Sequence, residues 1–177
     1  TLSIQPNFKV NCKGDKNLTI NYTLTKAPGF AEPETIVIKD LNGVVYQNGN
    51  LGSGNYCILV ADANGCSAAV EFFEVSEPNL LQVDITKINP TCDNLGSILL
   101  ETQGGNGGYI YDWADLTGNN DPEDRLQLNP ATYKVTVIDA KGCSIVSPNL
   151  VLTKDCNPST ITKDTIYTAT NPETPVK

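Results

Sequence analysis

The chain has 177 residues, six cysteines, no histidine, no methionine and a net charge of −8. The missing His removes the commonest general base and the commonest transition-metal ligand. Lys and Arg are scattered, so nothing provides the clustered cations that nucleic acid or an anionic membrane surface demands. No apolar run approaches the ~20 residues of a membrane-spanning helix, so membrane insertion is not expected.

The stretches rich in Thr, Val, Ile and Tyr are short, and turn residues interrupt them regularly, which is an all-β texture. Residues 2–10 predict an entry strand, and residues 18–24 alternate with Leu18, Ile20, Tyr22 and Leu24 on one face. A loop over residues 26–33, broken at Pro28-Gly29, precedes a strand at 35–39. Asp40-Leu41-Asn42-Gly43 is a hairpin signal leading to a strand at 44–46. Residues 56–61 form the next strand, with Tyr56, Ile58 and Val60 inward; Asn64-Gly65 turns it into a closing strand at 68–75, and Pro78 marks a boundary.

The same order then recurs: strands at 81–88, 97–101 and 109–113, and a closing strand at 150–154. Gly104 to Gly108 reads as a flexible crossover. No Lys-Ser/Thr follows it and no helix begins there, so it is not a phosphate cradle. Asp115-Leu116-Thr117-Gly118 echoes Asp40-Leu41-Asn42-Gly43. Most telling, Gly54-Asn55-Tyr56-Cys57-Ile58-Leu59-Val60-Ala61-Asp62-Ala63-Asn64-Gly65-Cys66-Ser67 returns 77 residues later as Ala131-Thr132-Tyr133-Lys134-Val135-Thr136-Val137-Ile138-Asp139-Ala140-Lys141-Gly142-Cys143-Ser144.

A duplicated unit predicts two tandem domains, residues 1–78 and 79–156. Each is small enough to gain from covalent support. Six to seven short antiparallel strands per unit predict immunoglobulin-like β-sandwiches. Leu51-x-x-Gly54-x-Tyr56 and Leu128-x-x-Ala131-x-Tyr133 have the form of a tyrosine corner, whose hydroxyl ties back to the preceding crossover, and Trp113 lies on the third strand, where such sandwiches bury a Trp. Residues 157–177, rich in Thr and Pro, are either a linker or a docked strand, and the strand-like Thr160 to Tyr167 favours docking within or between molecules. The lack of Met predicts a mature or excised piece of a longer polypeptide.

The early Cys92, the Gly-Gly loop, Tyr109-Ile110-Tyr111-Asp112-Trp113, the Tyr133 strand and the closing Asp139-Ala140-Lys141-Gly142-Cys143 resemble the SprB repeat of long Bacteroidetes cell-surface adhesins, including gliding-motility adhesins. The second unit departs only at Ala131, where the pattern has Gly. The first lacks the Gly-Gly and Tyr-x-Tyr-x-Trp portions and carries an extra Cys57. The resemblance implies type IX export, an extracellular or cell-surface location, partners among neighbouring repeats or subunits of one filament, and no catalysis.

The cysteines of an exported small-domain protein are expected to be oxidised. Zinc fits neither their spacing nor the absence of His. In a sandwich, Cys12 and Cys92 precede the second strand, whereas Cys66 and Cys143 follow the penultimate strand at the opposite end, too far for a disulfide. That places Cys57 with Cys12 and Cys156 with Cys92, leaving Cys66 and Cys143 to face neighbouring domains or pair across the array. One bond per repeat, Cys12–Cys66 and Cys92–Cys143, is the alternative that the resemblance implies.

Other candidates carry less chemistry. Asp112, Asp115, Asn119, Asn120, Asp121, Glu123 and Asp124 form an acidic patch, with Asp115, Asp121 and Asp124 the calcium candidates. Their spacing matches no calcium loop, a solvated polar loop is the simpler account, and nothing sets them as a glycosidase pair. No other cofactor is expected. Asp164-Thr165-Ile166 resembles the Bacteroidetes O-glycosylation motif, making Thr165 a glycosylation candidate. The expectation is a structural or adhesive repeat of a surface filament; a module that binds a glycan or protein through its inter-strand loops is the alternative.

Overall fold

The structure is a computed structural model describing residues 1–156 and 161–167. Every regular element among the described residues is a strand, and none is a helix that could cross a membrane. The chain divides into two compact units, Thr1–Pro78 and Asn79–Lys177.

In the first unit the predicted entry strand is two strands, β1 (Leu2–Ile4) and β2 (Asn7–Lys9). The break falls at Pro6, which has no N–H to donate, and the chain changes sheet there. β1 pairs antiparallel with β3 (Tyr22–Leu24), whereas β2 runs parallel to β7 (Ser67–Ser76). The larger sheet has the order β2-β7-β6-β4-β5, with β4 Thr35–Asp40, β5 Val45–Tyr46 and β6 Gly54–Ala61.

The predicted strand over residues 18–24 is also interrupted. At Ile20 the Asn48 side chain replaces a neighbouring strand: the Ile20 N–H donates to Asn48 Oδ1 at 2.8 Å, and Asn48 Nδ2 donates to the Ile20 carbonyl at 2.9 Å. Leu18 bridges Leu51 on one side of this interruption. Leu2, Val10, Ile20, Ile38, Leu51, Tyr56, Ile58, Val60, Phe73 and Val75 form the core, with Leu18, Tyr22 and Leu24 packed at its margin.

The second unit follows the predicted alternation closely. β8 (Asn79–Ile88), β9 (Gly96–Gly105) and β11 (Arg125–Leu128) turn Leu81, Val83, Ile85, Ile98, Leu100 and Leu128 into one core. From the other side come Tyr111 and Trp113 of β10 (Ile110–Trp113), Tyr133 of β12 (Ala131–Tyr133), and Val135 and Val137 of β13 (Val135–Ile138). Ile145 of β14 (Ser144–Val146) and the two leucines of β15 (Leu150–Leu152) complete it. The orders are β11-β9-β8-β16, with β16 Ile161–Tyr167, then β10-β13-β14 and β12-β15.

The last strand, β16 (Ile161–Tyr167), docks antiparallel on β8 within the same chain, from Ile161 opposite Ile88 to Tyr167 opposite Gln82. The rest of the Thr/Pro-rich segment, residues 157–160 and 168–177, lies outside the described residues.

Candidate functional site

The repeated phrase is fastened at both ends. At its start, the Tyr56 hydroxyl donates to the Gly52 carbonyl at 3.1 Å and the Tyr133 hydroxyl to the Asn129 carbonyl at 3.0 Å, the tyrosine-corner bonds that the spacing predicts. Tyr56 also stacks on Phe73, with centroids 5.5 Å apart, and meets Tyr46 edge-on at 5.3 Å. Burial first, then the neighbouring Tyr46 hydroxyl and Asp40 carboxylate, push its phenol up from the ordinary value.

At its end, an Asp organises the hairpin. Asp62 Oδ1 accepts from the N–H groups of Asn64 and Cys66, both at 2.9 Å; Asp139 Oδ1 accepts from Lys141 at 2.8 Å and Cys143 at 3.0 Å. In each turn the Asp N–H donates to the Cys carbonyl, and the Gly N–H to the Asp carbonyl. Gly65 and Gly142 take φ of +77° and +85°, which an L side chain rarely adopts.

Sequence reading missed that the Gly-rich loop is part of this fastening and not a flexible crossover. Asp139 is buried, and its Oδ2 accepts from both the backbone N–H and the Nδ2 of Asn106, each at 2.8 Å. The Ala140 N–H donates to the Gly107 carbonyl at 2.8 Å. A Cβ on Gly105 would stand 2.7 Å from Asp139 Oδ2, and one on Gly104 only 1.9 Å from the Leu80 carbonyl oxygen, so the glycines permit close docking. Burial alone would raise the Asp139 pKa, but the bonds from Asn106, Lys141 and Cys143 outweigh it and hold the carboxyl below its ordinary value. In the first unit only the backbone contact survives, Ala63 N–H to the Ala31 carbonyl at 3.0 Å.

The structure does not gather the acidic patch into one site. Asp115 forms a fork with Arg125 at 3.0 and 2.9 Å, and the guanidinium lies 5.2 Å from the Trp113 ring and 5.8 Å from that of Tyr133. Asp121 accepts the Trp113 N–H at 2.8 Å, and Asp124 accepts that of Leu100 at 2.9 Å. Glu123 accepts the Tyr111 hydroxyl at 2.7 Å; burial first, and then this carboxylate, push that phenol up to about 12, against the Thr102 hydroxyl contact. Asp115, Asp121 and Asp124 therefore serve three separate partners, and among the described residues no group of three or more acidic, Cys or His side chains is placed to hold a metal.

The cysteines correct the sequence expectation in part. Cys92 and Cys156 are bonded, with Cα atoms 4.8 Å apart, as the strand-end argument predicts. Cys12 and Cys143 are also oxidised, whereas Cys57 and Cys66 are free. Cys12–Cys57 fails because β2 lies beyond β7, not next to β6. Cys57 stands opposite Phe72, while the chain leading to Cys12 leaves the sheet beside Ser76, four residues or ~13 Å further along β7. Cys12–Cys66 fails because Cys66 adjoins the other end of that ten-residue strand. Cys92–Cys143 fails because Cys92 is taken.

Thr165 is exposed on β16 opposite Asp84, and its hydroxyl bond to that carboxylate is the main cause holding the Asp84 pKa below its ordinary value. The glycosylation candidate thus sits in a paired strand instead of an open linker.

No known protein-family model matches the chain, and no curated protein matches it either.

Proposed function

We propose that this chain is a pair of tandem immunoglobulin-like repeats of a long extracellular adhesin or filament of the SprB-repeat kind, with a mechanical role and no catalytic one. The observation that carries the reading is the doubled phrase making the same two fastenings in both units: a tyrosine corner at one end and an Asp-centred turn at the other. The strand orders agree with it. In the second unit the first two strands, β8 and β9, share a sheet with β11, while β10 pairs with the β13-β14 hairpin. In the first, the entry strand splits between sheets and β2 lies parallel to the last strand. Oxidised cysteines accord with a non-cytoplasmic protein, and tandem small domains give reach at low sequence complexity. Neighbouring repeats of the same filament are the proposed partners.

The loops offer little to a glycan, because Tyr111 and Trp113 are both turned into the core. One observation favours a protein-binding reading instead: Phe72 is 66% exposed and Val70 45% exposed on the same face of β7 in the first unit, with Val45, 61% exposed, three strands across the sheet. The size of the native polypeptide separates the two. An antibody raised against this chain is expected to detect, in a reduced cell-surface fraction, a polypeptide many times longer that carries further copies of the phrase. A secreted polypeptide of about this length would overturn the filament.

A further inference from the structure

We propose that the outer edge of β8 is a strand-acceptor site whose partner is the Ile161–Tyr167 segment of a second copy of this chain, so that two molecules can exchange β16. The inference goes beyond the filament reading and does not depend on it. β16 lies outside the covalently closed part of the second unit, since the Cys92–Cys156 bond ends before it begins. The unit's buried core runs from Leu81 to Leu152 without it, and among the described side chains of β16 only Ile166 is packed against that core. Thr162, Lys163, Asp164 and Thr165 are exposed, and Ile161 is 66% exposed.

What holds β16 is therefore an edge ladder with a little side-chain recognition. Seven consecutive residues pair with β8 without a shift of register. Lys87 Nζ meets Asp164 at 3.1 Å, and Thr165 bonds Asp84. Without β16, β8 presents a ten-residue unpaired edge, the feature that recruits an extended segment from another chain. A β16 from a second copy makes the same contacts as the chain's own. Exchange thus loses no interaction, and the outcome is set by protein concentration against the effective concentration of the tethered strand.

Disulfide trapping in the full chain tests this. Lys163 is directly opposite Thr86, where antiparallel Cα atoms lie ~4.5–5.5 Å apart, within disulfide range. Two full-length variants, both with Cys57→Ser and Cys66→Ser, carry either Thr86→Cys or Lys163→Cys. They are mixed in urea, refolded together at rising concentration under mild oxidation, digested, and examined by mass spectrometry for a peptide linking positions 86 and 163. Neither chain holds both cysteines, so that peptide forms only when β16 of one molecule lies on β8 of the other. The expected result is a cross-linked dimer whose yield rises with concentration and exceeds several-fold that obtained when Leu126→Cys on β11 replaces Thr86→Cys. The proposal is overturned if the mixture gives no such excess while a Thr86→Cys/Lys163→Cys double variant closes its own bond and stays monomeric. It is equally overturned if the double variant fails to close.

Discussion

Replacing Asp139 with Ala tests whether this one carboxylate joins the Gly-rich loop to the hairpin. It accepts four bonds of 2.8–3.0 Å. Hydrogen bonds to a charged group contribute about 1.5–3 kcal/mol each net, less where water can replace them. The exposed Lys141 N–H re-solvates, whereas the Asn106 and Cys143 donors are half-buried, so the expected cost is about 3–5 kcal/mol. Asp62→Ala is the internal control: its two donors are on exposed residues, and about 1 kcal/mol is expected. Trp113 is the only Trp in the chain, so its fluorescence in urea follows the second unit, while far-UV circular dichroism follows both. With a slope of about 1–2 kcal/mol per molar urea, the Trp113 midpoint should fall by about 1.5 M or more in Asp139→Ala. The pH arm has a definite sign. Because the folded Asp139 pKa is depressed, its contribution is fully present above the ordinary carboxylate value of 3.8 and is lost as pH falls through the lower folded value. The variant should therefore lose part of the wild type's acid sensitivity below about pH 4. Equal costs for Asp139→Ala and Asp62→Ala would refute the assignment.

Tyr56→Phe and Tyr133→Phe each remove one hydroxyl-to-carbonyl bond and should cost about 1 kcal/mol, measured by urea unfolding. Gly104→Ala drives a Cβ to 1.9 Å from the Leu80 carbonyl oxygen, so a loss of at least about 3 kcal/mol is expected. Gly107→Ala, with φ of +67° and nothing within 4 Å of a Cβ, should cost only about 1–2 kcal/mol in the same assay. Iodoacetamide under native, non-reducing conditions should label Cys66 quickly, Cys57 more slowly and no other cysteine, as intact mass will show. Cys66→Val should leave stability within about 0.5 kcal/mol of wild type by thermal unfolding.

Much of the second unit was legible because its strands alternate without interruption: Leu81, Val83 and Ile85 on one strand, Val135 and Val137 on another, are all buried as spacing dictates. The tyrosine corners were legible because hydroxyl and carbonyl lie four residues apart in sequence. Harder to read were contacts between distant segments. Asn48 replaces a strand at Ile20 from 28 residues away, and no local pattern announces it. The parallel β2-β7 pair moved Cys12 away from Cys57 because a three-residue strand after Pro6 changed sheets. The Gly-rich loop looked flexible because glycine signals freedom of the unfolded chain; here it permits the close approach to Leu80 and Asp139. The echo at Asp115 to Gly118 also diverged, since Arg125 holds the Asp115 carboxylate in a fork instead of leaving it to accept turn N–H groups.

The terminal Cys of the doubled phrase is separable from the job the phrase performs. Both turns use the backbone of that position: its N–H donates to the Asp carboxylate and its carbonyl accepts the Asp N–H. The same arrangement occurs a third time, at Asp40, where Asn42 and Val44 donate to Oδ1 at 2.9 Å, the Asp40 N–H donates to the Val44 carbonyl at 3.0 Å, and Gly43 has φ of +85°. Valine fills the fifth position there, so the turn requires the Asp and the Gly but not the thiol. The two cysteines accordingly have different fates in one chain, Cys66 free and Cys143 oxidised, while the turns around them keep the same hydrogen bonds. The Asp-x-x-Gly frame is the folding element, and the cysteine is a side chain mounted on it whose redox state can differ from repeat to repeat without disturbing the fold.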